Sequence, residues 1–196
     1  MLNKKRKGKL FIISAPSGAG KTTLCQAVLA SLSQLVPSIS YTTRSPRKGE
    51  VSGKDYNFVS VEKFKEMISE CAFAEWAIVH GHYYGTSKSL IEHHMQEGRD
   101  VLLSIDIQGA DQLRRVYGDA VSIFIQPPSL EELKKRLTER KSDSETTIQK
   151  RLDVAKKEMA KASSYQFQVV NDEFEKALRE LISIIESQRE PQRHCS

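Results

Sequence analysis

Short apolar runs alternate along the chain with stretches in which apolar residues recur every three or four positions. Continuous apolar segments of strand length occupy residues 9–14, 101–107 and 121–125, and a shorter, weaker one covers 168–170. Such runs are typical of strands buried on both faces, and the three-to-four spacing is typical of one helix face. The alternation therefore predicts an α/β fold with a mostly parallel central sheet between two layers of helices.

Polar residues mark where several of these helices are expected to begin. The segment 21–35 has a helical apolar stripe and follows a glycine-rich turn, and a short helix is expected after Ser60. Three further helices are preceded by the capping-box pattern, in which Ser or Asp is followed three residues later by Glu. The three pairs are Ser129 with Glu132, Ser142 with Glu145, and Asp172 with Glu175.

Residues 39–94 depart from the alternation of strands and helices. They contain turn residues at 47–49 and 52–53, short aromatic-rich segments with strand character, and one short helical segment. We interpret this region as an α+β lobe inserted into the core.

The composition excludes several classes of protein. Hydrophobic residues make up 39% and charged residues 28% of the 196-residue chain, as in ordinary globular proteins. No apolar run approaches the roughly 20 residues that a membrane helix needs, and the basic start lacks the apolar stretch of a signal peptide. Cys25, Cys71 and Cys195 show no metal-binding or disulfide spacing. We therefore expect a cytoplasmic protein with reduced thiols and no membrane partner.

The net charge of +5 resides in a short leader. Residues 1–9 hold five basic residues and no acidic one, which leaves 25 basic and 25 acidic residues in the rest of the chain. The chain shows no basic face interleaved with aromatic residues, the pattern that nucleic-acid binding uses. Residues 1–8 are therefore expected to form a solvated basic tail, and nucleic acid is not an expected partner.

A phosphate-binding loop follows the first predicted strand. It nearly matches the P-loop pattern G-x-x-x-x-G-K-[ST], with Ala15 in place of the first glycine. Glycines let backbone amides approach phosphate oxygens, and the following helix adds its N-terminal dipole. Lys21 is expected to reach the β- and γ-phosphates, and Thr22 to ligate Mg²⁺. The expected nucleotide-binding residues are Ala15, Pro16, Ser17, Gly18, Ala19, Gly20, Lys21, Thr22 and Thr23.

The inserted lobe contains residues that suit a nucleoside monophosphate. Arg44 and Arg47 offer two guanidiniums for bidentate bonds to a phosphate, and Tyr56 and Tyr84 offer hydroxyl donors. Glu75 is a carboxylate in an otherwise apolar stretch. It can accept hydrogen bonds from N1 and N2 of guanine, whereas adenine would leave it unpaired, a difference worth on the order of 10⁴-fold.

Three segments carry a resemblance to a known family. Residues 42–50 match T-T-R-x-P-R-x-G-E, residues 83–86 read Y-Y-G-T, and residues 104–109 read S-I-D-I-Q-G. Together with the P-loop, they resemble guanylate kinase, a P-loop nucleoside monophosphate kinase, over about residues 10–181. The resemblance implies that ATP phosphorylates GMP to GDP with Mg²⁺. It implies that the GMP phosphate is held by Arg44, Arg47, Tyr56 and Tyr84, and that the base is read by Ser40, Glu75, Thr86 and Asp106.

Asp106 lies near the end of a predicted strand, where ligands bind in this class of fold. Ser104, two residues earlier, is expected on the same strand face. Guanylate kinases usually carry Asp at both positions, so Ser104 is a departure from the family pattern. We expect Asp106 to serve alone and the activity to survive.

Three arginines resemble those of the family's mobile lid. Arg136 and Arg140 are four residues apart on one side of a predicted helix, and Arg151 lies on the next helix. The resemblance implies that these arginines grip ATP and neutralise the charge of the moving phosphoryl group, acting with Lys21 and Arg44 as the catalytic set.

Other positions near the lid depart from the family pattern or allow two interpretations. Glu139 and Lys141 stand where the family usually has glycine, so a stiffer lid hinge is expected. Asn171 resembles a family residue near the adenine, although a turn or cap role also suits an asparagine there.

The predicted architecture is thus a P-loop three-layer sandwich with an inserted GMP-binding lobe and a helical lid. The expected parts are a basic leader (1–8), a P-loop core (9–38, 95–128 and 163–187), the GMP-binding lobe (39–94), the lid (129–162) and a C-terminal tail (188–196).

Two alternatives to a guanylate kinase stay open. A guanylate-kinase-like binding module would keep the fold and hold a peptide in the acceptor lobe, but such modules typically have a damaged P-loop, and Lys21 and Thr22 are intact. A kinase for another phosphorylated small molecule is disfavoured by Glu75 together with Thr86. Either a monomer or a homo-oligomer is compatible with the sequence.

Overall fold

The structure is a computed structural model that describes residues 6–79, 81–139 and 144–189. It is mixed α/β with a mostly parallel central sheet, as predicted. The described residues form two compact units. The first unit is drawn from Met1–Leu10, Gln34–Leu103 and Gln108–Ala120, and the second from Phe11–Ser33, Ser104–Ile107 and Val121–Ser196. The boundaries expected for core, lobe, lid and tails stay predictions.

Nine strands are assigned within the described ranges. They are β1 (Leu10–Ser14), β2 (Leu35–Pro37), β3 (Tyr41–Thr42), β4 (Asn57–Phe58), β5 (Phe73–Val79), β6 (His82–Ser87), β7 (Asp100–Ser104), β8 (Val121–Gln126) and β9 (Phe167–Val170).

Seven α-helices and one 3₁₀ turn, Ala162–Ser164, accompany the strands in the same ranges. The helices are α1 (Lys21–Ser31), α2 (Val61–Ser69), α3 (Lys88–Gln96), α4 (Ile107–Val116), α5 (Leu130–Glu139), α6 (Glu145–Met159) and α7 (Phe174–Arg189). Over the described residues, none of these helices combines the length and apolar character that crossing a membrane requires.

The first unit contains two strands of the central sheet, β2 and β7, and a separate four-stranded sheet. β2 pairs in parallel with β7, with Val36 opposite Val101. The second sheet has the order β4, β3, β6, β5, and β6 runs antiparallel to both of its neighbours. Phe64 of α2 stacks on Phe73 of this sheet, with ring centroids 4.5 Å apart. Gly85 makes room for these rings, because a Cβ there would come within 2.9 Å of Phe64.

The second unit is built on three parallel strands. β1 pairs with β8, and β8 pairs with β9. β1 is buried along its whole length, as its continuous apolar sequence predicts. α1 contacts α7, and α5 contacts α6. The contact between α5 and α6 centres on Leu133, Leu137, Ile148 and Ala155.

Three predicted strands are confirmed as β1, β8 and β9. The strand predicted over 101–107 is too long: β7 ends at Ser104, so Asp106 does not share a strand face with Ser104 as predicted.

The helix predicted over 21–35 is also too long. α1 ends at Ser31, and Leu35 begins β2, a strand that the apolar spacing did not reveal. Leu32 has an extended backbone, and Gln34 has a φ of 62°. A left-handed residue cannot continue an α-helix, so the apolar spacing beyond residue 31 belongs to a different element.

Two of the predicted helix starts are confirmed. Ser60 caps α2 by accepting a hydrogen bond from the Lys63 amide, and Ser129 accepts one from Glu132 at 3.1 Å. The capping box at Ser142 was wrong: α6 is capped by Ser144, and Ser142 itself lies outside the described residues. Ser144 has the required extended backbone, and its hydroxyl accepts from the amide three residues on.

The third predicted cap, Asp172, lies just ahead of its helix. Its carboxylate accepts a hydrogen bond from the Glu173 amide at 2.8 Å, and α7 begins at Phe174. The side chain therefore binds one exposed amide at the start of the helix without occupying the capping position itself.

The end of the basic leader is bound to the first unit, which corrects the prediction of a solvated tail for residues 6–8. Asp100 is fully buried, and it accepts hydrogen bonds from Arg6 Nη2 at 2.6 Å and from the Lys9 amide at 2.7 Å. Gly8 is also buried, and its amide donates to the backbone oxygen of Met95. A buried carboxylate needs such partners, so Asp100 draws the leader onto the fold. Residues 1–5 lie outside the described ranges.

Candidate functional site

The predicted P-loop lies in the second unit, between β1 and α1. The Ala19 amide donates to the backbone oxygen of Pro16 at 3.1 Å and closes a turn. Gly18 and Gly20 both have left-handed backbones, with φ of 95° and 90°. Gly20 is the N-cap of α1 and supplies no side chain to bind the first amides of the helix. These amides are the donors that a phosphate group requires at a helix N-terminus.

The glycines of the loop also allow close packing around it. A Cβ on Gly20 would come 2.4 Å from Nδ2 of Asn171, and one on Gly18 would come 2.9 Å from Leu133. Asn171 Nδ2 donates to the backbone oxygen of Ala19 at 2.7 Å. Asn171 thus braces the P-loop from the end of β9, and its predicted place near the adenine stays a prediction.

Lys21, the expected phosphate-binding lysine, is enclosed at the start of α1. Its Nζ donates to the backbone oxygen of Ile105 at 3.0 Å. Burial lowers the pKa of Lys21, and the nearby charges of Asp106 and Glu158 oppose that shift. A lysine held by one carbonyl in a partly desolvated setting gains a strong partner when a phosphate arrives.

Asp106 belongs to the same unit as Lys21. β7 ends at Ser104, so Asp106 lies two residues beyond the strand and just before α4. Ser104 hydrogen-bonds the thiol of Cys25, and burial raises the pKa of that thiol. The role predicted for Asp106 in reading the base stays a prediction.

Glu158 of α6 is a neighbour of the P-loop that the sequence did not reveal. It accepts a hydrogen bond from the Ser17 amide, and burial raises its pKa, with a further contribution from Asp106. Glu158 is seven residues after Arg151, a spacing that places both on one face of α6. That shared face was the available signal in the sequence.

The lid arginines that can be located lie on α5 and α6. Arg136 Nη2 donates to the backbone oxygen of Asn171 at 3.0 Å, and Arg136 Nε donates to Glu132 at 3.2 Å. Arg136 and the P-loop are therefore both linked to Asn171. Arg151 is half-buried on α6. Arg140 and Lys141 lie outside the described residues.

The residues expected to read the base occupy the four-stranded sheet of the first unit. Glu75 lies directly opposite Thr86 across β5 and β6, and only 4% of Glu75 is exposed. The Thr86 hydroxyl donates to Oε1 of Glu75 at 2.5 Å. Tyr84 is two residues from Thr86 on β6, so its side chain shares their sheet face, roughly 7 Å along the strand. The groups predicted to read the base and to bind the phosphate thus line one surface.

The expected phosphate-binding residues gather around Arg44. Arg44 Nε donates to the hydroxyl of Tyr84 at 3.2 Å, and its guanidinium lies 5.5 Å from the ring centroid of Tyr56. The rings of Tyr56 and Tyr84 meet edge to face, with centroids 5.9 Å apart. Burial raises the pKa of Tyr56, so its hydroxyl stays a donor at neutral pH. These three residues therefore form one cluster, and their role in holding a phosphate stays a prediction.

Glu50 is a second carboxylate whose place the sequence did not reveal, although it ends the T-T-R-x-P-R-x-G-E segment. Its Oε1 accepts from Arg44 Nη2 at 2.8 Å, and its Oε2 accepts from the Arg47 amide at 2.7 Å. The hydrogen bond to Glu50 raises the pKa of Arg44. The guanidinium therefore stays charged.

The remaining predicted site residues can be located by the elements that carry them. Ser40 immediately precedes β3, and its carbonyl accepts from the Asn57 amide at 2.9 Å. Arg47 is exposed in the loop that follows β3. Thr22 and Thr23 are exposed in the first turn of α1, next to Lys21.

Known proteins whose sequences resemble this chain include guanylate kinases. A family model described as guanylate kinase matches residues 7–188. A guanylate kinase of Geobacter metallireducens is 51% identical over 185 residues, which cover 94% of this chain and 91% of that protein.

Two solved structures resemble the fold. The crystal structure of guanylate kinase from Anaplasma phagocytophilum has a TM-score of 0.80 and 32% sequence identity, and the match covers 96% of this chain and 89% of that one. A shikimate kinase from Bacteroides thetaiotaomicron has a TM-score of 0.50 and 16% identity, covering 91% of this chain and 98% of that one. The second likeness concerns the fold alone.

Proposed function

The chain belongs to the guanylate kinase family, and from this premise we propose that it transfers the γ-phosphoryl group of ATP to GMP, releasing ADP and GDP. The observation that carries the proposal is that donor and acceptor residues are both intact. The second unit has the glycine loop with Lys21, and the first unit has Glu75 paired with Thr86 and Arg44 joined to Tyr84.

The donor half, which is the P-loop and the residues around it in the second unit, holds ATP by its phosphates. The first backbone amides of α1 form a helix N-terminus that no side chain caps, which suits the β-phosphate. Lys21 exchanges the Ile105 carbonyl for the β- and γ-phosphate oxygens. Arg136, already close to the loop through Asn171, adds positive charge to the moving phosphoryl group.

The acceptor half, which is the four-stranded sheet of the first unit with its loops, holds GMP by its base and by its phosphate. Glu75 accepts from N1 and N2 of guanine and Ser40 donates to O6. Thr86 has one hydroxyl hydrogen, so it turns that hydrogen from Glu75 to O6 when the base binds. Arg44, Arg47, Tyr56 and Tyr84 hold the phosphate with charge-assisted and hydroxyl hydrogen bonds. An AMP molecule would leave the desolvated carboxylate of Glu75 without N–H donors, and this mismatch is the basis of selectivity for guanine.

The chemistry requires positioning and charge neutralisation. An oxygen of the GMP phosphate attacks the γ-phosphorus, the bond to the oxygen bridging the β- and γ-phosphorus breaks, and ADP leaves with that electron pair. A phosphate oxygen needs no proton removed before it attacks, so no histidine base is assigned. Arg136, Arg140 and Arg151 with Lys21 are the proposed transition-state cations, and Arg44 orients the acceptor.

Mg²⁺ fits the donor half. Thr22 is exposed in the first turn of α1, and the carboxylates of Asp106 and Glu158 both interact electrostatically with Lys21 in the same unit. Hydroxyl and carboxylate oxygens are ligands that Mg²⁺ prefers. Thr22 would hold the ion, which when bound neutralises charge on the ATP phosphates. We infer a cytoplasmic location and a role in recycling GMP within purine metabolism.

The alternatives receive less support. A non-catalytic binding module does not require an intact, half-buried Lys21 or a glycine loop braced by Asn171. A kinase for a compound without the N–H donors of guanine would leave the buried carboxylate of Glu75, beside Thr86, without a partner from its substrate.

A coupled assay for ADP formation tests the proposal with GMP, AMP, CMP and UMP as acceptors in the presence of Mg²⁺. We expect turnover with GMP far above that with the other three. No GMP-dependent turnover, or turnover with AMP equal to that with GMP, would overturn the assignment.

Lys21→Met separates catalysis from acceptor binding. The variant removes the cation nearest the γ-phosphate, so kcat is expected to fall about 10²-fold or more. Calorimetric titration with GMP should give the wild-type Kd, because the acceptor groups lie in the first unit. A binding module would instead show no turnover even in the wild-type protein.

A further inference from the structure

Glu50 closes the turn that carries Arg47. The Glu50 amide donates to the backbone oxygen of Arg47 at 3.0 Å, while the Glu50 carboxylate accepts from the Arg47 amide at 2.7 Å. Gly49, between them, has a left-handed backbone with a φ of 90°. The two reciprocal bonds and the glycine define one tight turn, so the backbone of Arg47 is fixed relative to Glu50.

The other oxygen of Glu50 holds the side chain of Arg44. Arg44 Nη2 lies 2.8 Å from Oε1, and both side chains are largely shielded from solvent. Arg44 also donates to the Tyr84 hydroxyl and to the backbone oxygen of Ser45, at 3.2 and 2.7 Å. A guanidinium has five N–H donors. Three are therefore used within the protein, and two remain for a phosphate.

Aromatic rings complete the setting of Arg44. Its guanidinium lies 5.5 Å from the ring centroid of Tyr56 and 5.8 Å from that of Phe58. Rings at these distances attract a cation and limit its side-chain conformations. With Glu50 on one side and rings on another, Arg44 is oriented before any ligand binds.

We propose that Glu50 is the positioning residue of the acceptor phosphate site, because it sets the Arg44 guanidinium and the Arg47 backbone relative to each other before GMP binds. This inference rests on the proposed function and adds to it a residue that touches the arginines and not the substrate. Ordering long side chains on binding costs affinity, and a carboxylate that orders one of them in advance removes that cost.

The charge of Glu50 suits this role. The hydrogen bond from Arg44 lowers the pKa of Glu50, so the carboxylate stays ionised around neutral pH. Both of its oxygens accept from N–H donors. Glutamine has the same size but turns an NH₂ group toward one of these donors, so Glu50→Gln removes the ion pair and one of the two bonds.

The test compares GMP with guanosine in Glu50→Gln. We expect the KM for GMP to rise about 10- to 100-fold, the size of a lost charge-assisted hydrogen bond. Guanosine carries the base and no phosphate, so its Ki as a competitive inhibitor should stay within about twofold of wild type. The KM for ATP should not change. A role limited to folding of the lobe would move the guanosine Ki as well.

Asp55→Asn is the matched control. Asp55 lies five residues further along the same loop, and its carboxylate accepts from the Val51 amide at 2.8 Å without contacting either arginine. Its KM for GMP should be that of wild type. An unchanged or lower KM for GMP in Glu50→Gln, or a parallel rise in the guanosine Ki, would overturn the inference. If the wild-type protein showed no GMP turnover, the proposed function itself would fail, which is a distinct result.

Discussion

Replacing Glu75 by Gln tests the base-reading site most directly. The substitution conserves size but replaces one carboxylate oxygen by an NH₂ donor. Glu75 is 4% exposed, and its Oε1 already accepts from the Thr86 hydroxyl. Water cannot easily compensate for a mismatch at so buried a position. We therefore expect a large loss in the use of GMP.

The magnitude follows from the hydrogen bonds lost. A bond to a charged group contributes about 1.5–3 kcal/mol, and a buried donor left unpaired costs about 1–3 kcal/mol. Glutamine loses one charge-assisted bond to guanine and sets its NH₂ against a guanine N–H. The sum of about 2.5–6 kcal/mol corresponds to a fall in kcat/KM for GMP of about 10²- to 10⁴-fold.

The assay measures kcat/KM for GMP and for AMP, with the Kd for ATP determined separately. Glu75→Gln should lose most of the preference for GMP over AMP while it binds ATP like wild type. Glu66→Gln is the control, because Glu66 pairs with Lys63 on the surface of α2 in the same unit. A Glu75→Gln enzyme with wild-type selectivity and an unchanged melting temperature would refute the base-reading argument.

Two further predictions concern stability. Gly20→Ala combines left-handed strain with a Cβ 2.4 Å from Asn171 Nδ2, whereas Gly53→Ala at a φ of 79° meets no atom within 4 Å. Gly20→Ala should therefore lower the melting temperature by roughly 5–10 °C and weaken ATP binding. Gly53→Ala should lower the melting temperature by about half as much or less. Equal decreases in melting temperature for the two variants would contradict the packing argument. Asp100→Asn should lower the free energy of unfolding, measured in urea, by about 1–3 kcal/mol, because Asp100 is fully buried and accepts from Arg6 and the Lys9 amide. Arg6→Ala should lower it by less, since Arg6 is partly exposed. A larger loss for Arg6→Ala than for Asp100→Asn would contradict this explanation.

Local patterns predicted the elements that depend on neighbours in sequence. The apolar run of β1, the P-loop and α1 follow each other within residues 10–31, so strand, turn and helix could be predicted together. Chemistry that rests on residue type was equally accessible, as with the carboxylate of Glu75 in an apolar stretch. The end of α1 was missed because an apolar residue at position 35 fits a helix and a strand alike.

Contacts between residues far apart in sequence could not be predicted. Glu158 reaches the amide of Ser17 only because α6 packs beside the P-loop. The sequence spacing places Glu158 on one helix face with Arg151, but it does not show that this face meets Ser17. The capping error at Ser142 has a related cause, since Ser142 and Ser144 both suit a cap and only the start of α6 distinguishes them.

The sequence by itself determined the family, the class of fold and the kinds of groups proposed to bind the two nucleotides, because these depend on residue type and short-range spacing. The tertiary structure alone decided which groups are joined. Glu50 bridges Arg44 and Arg47, Asn171 braces the P-loop, and Asp100 holds the leader. Most of these bonds satisfy a polar group that folding at least partly removes from water, and the path of the backbone determines which partner is within reach.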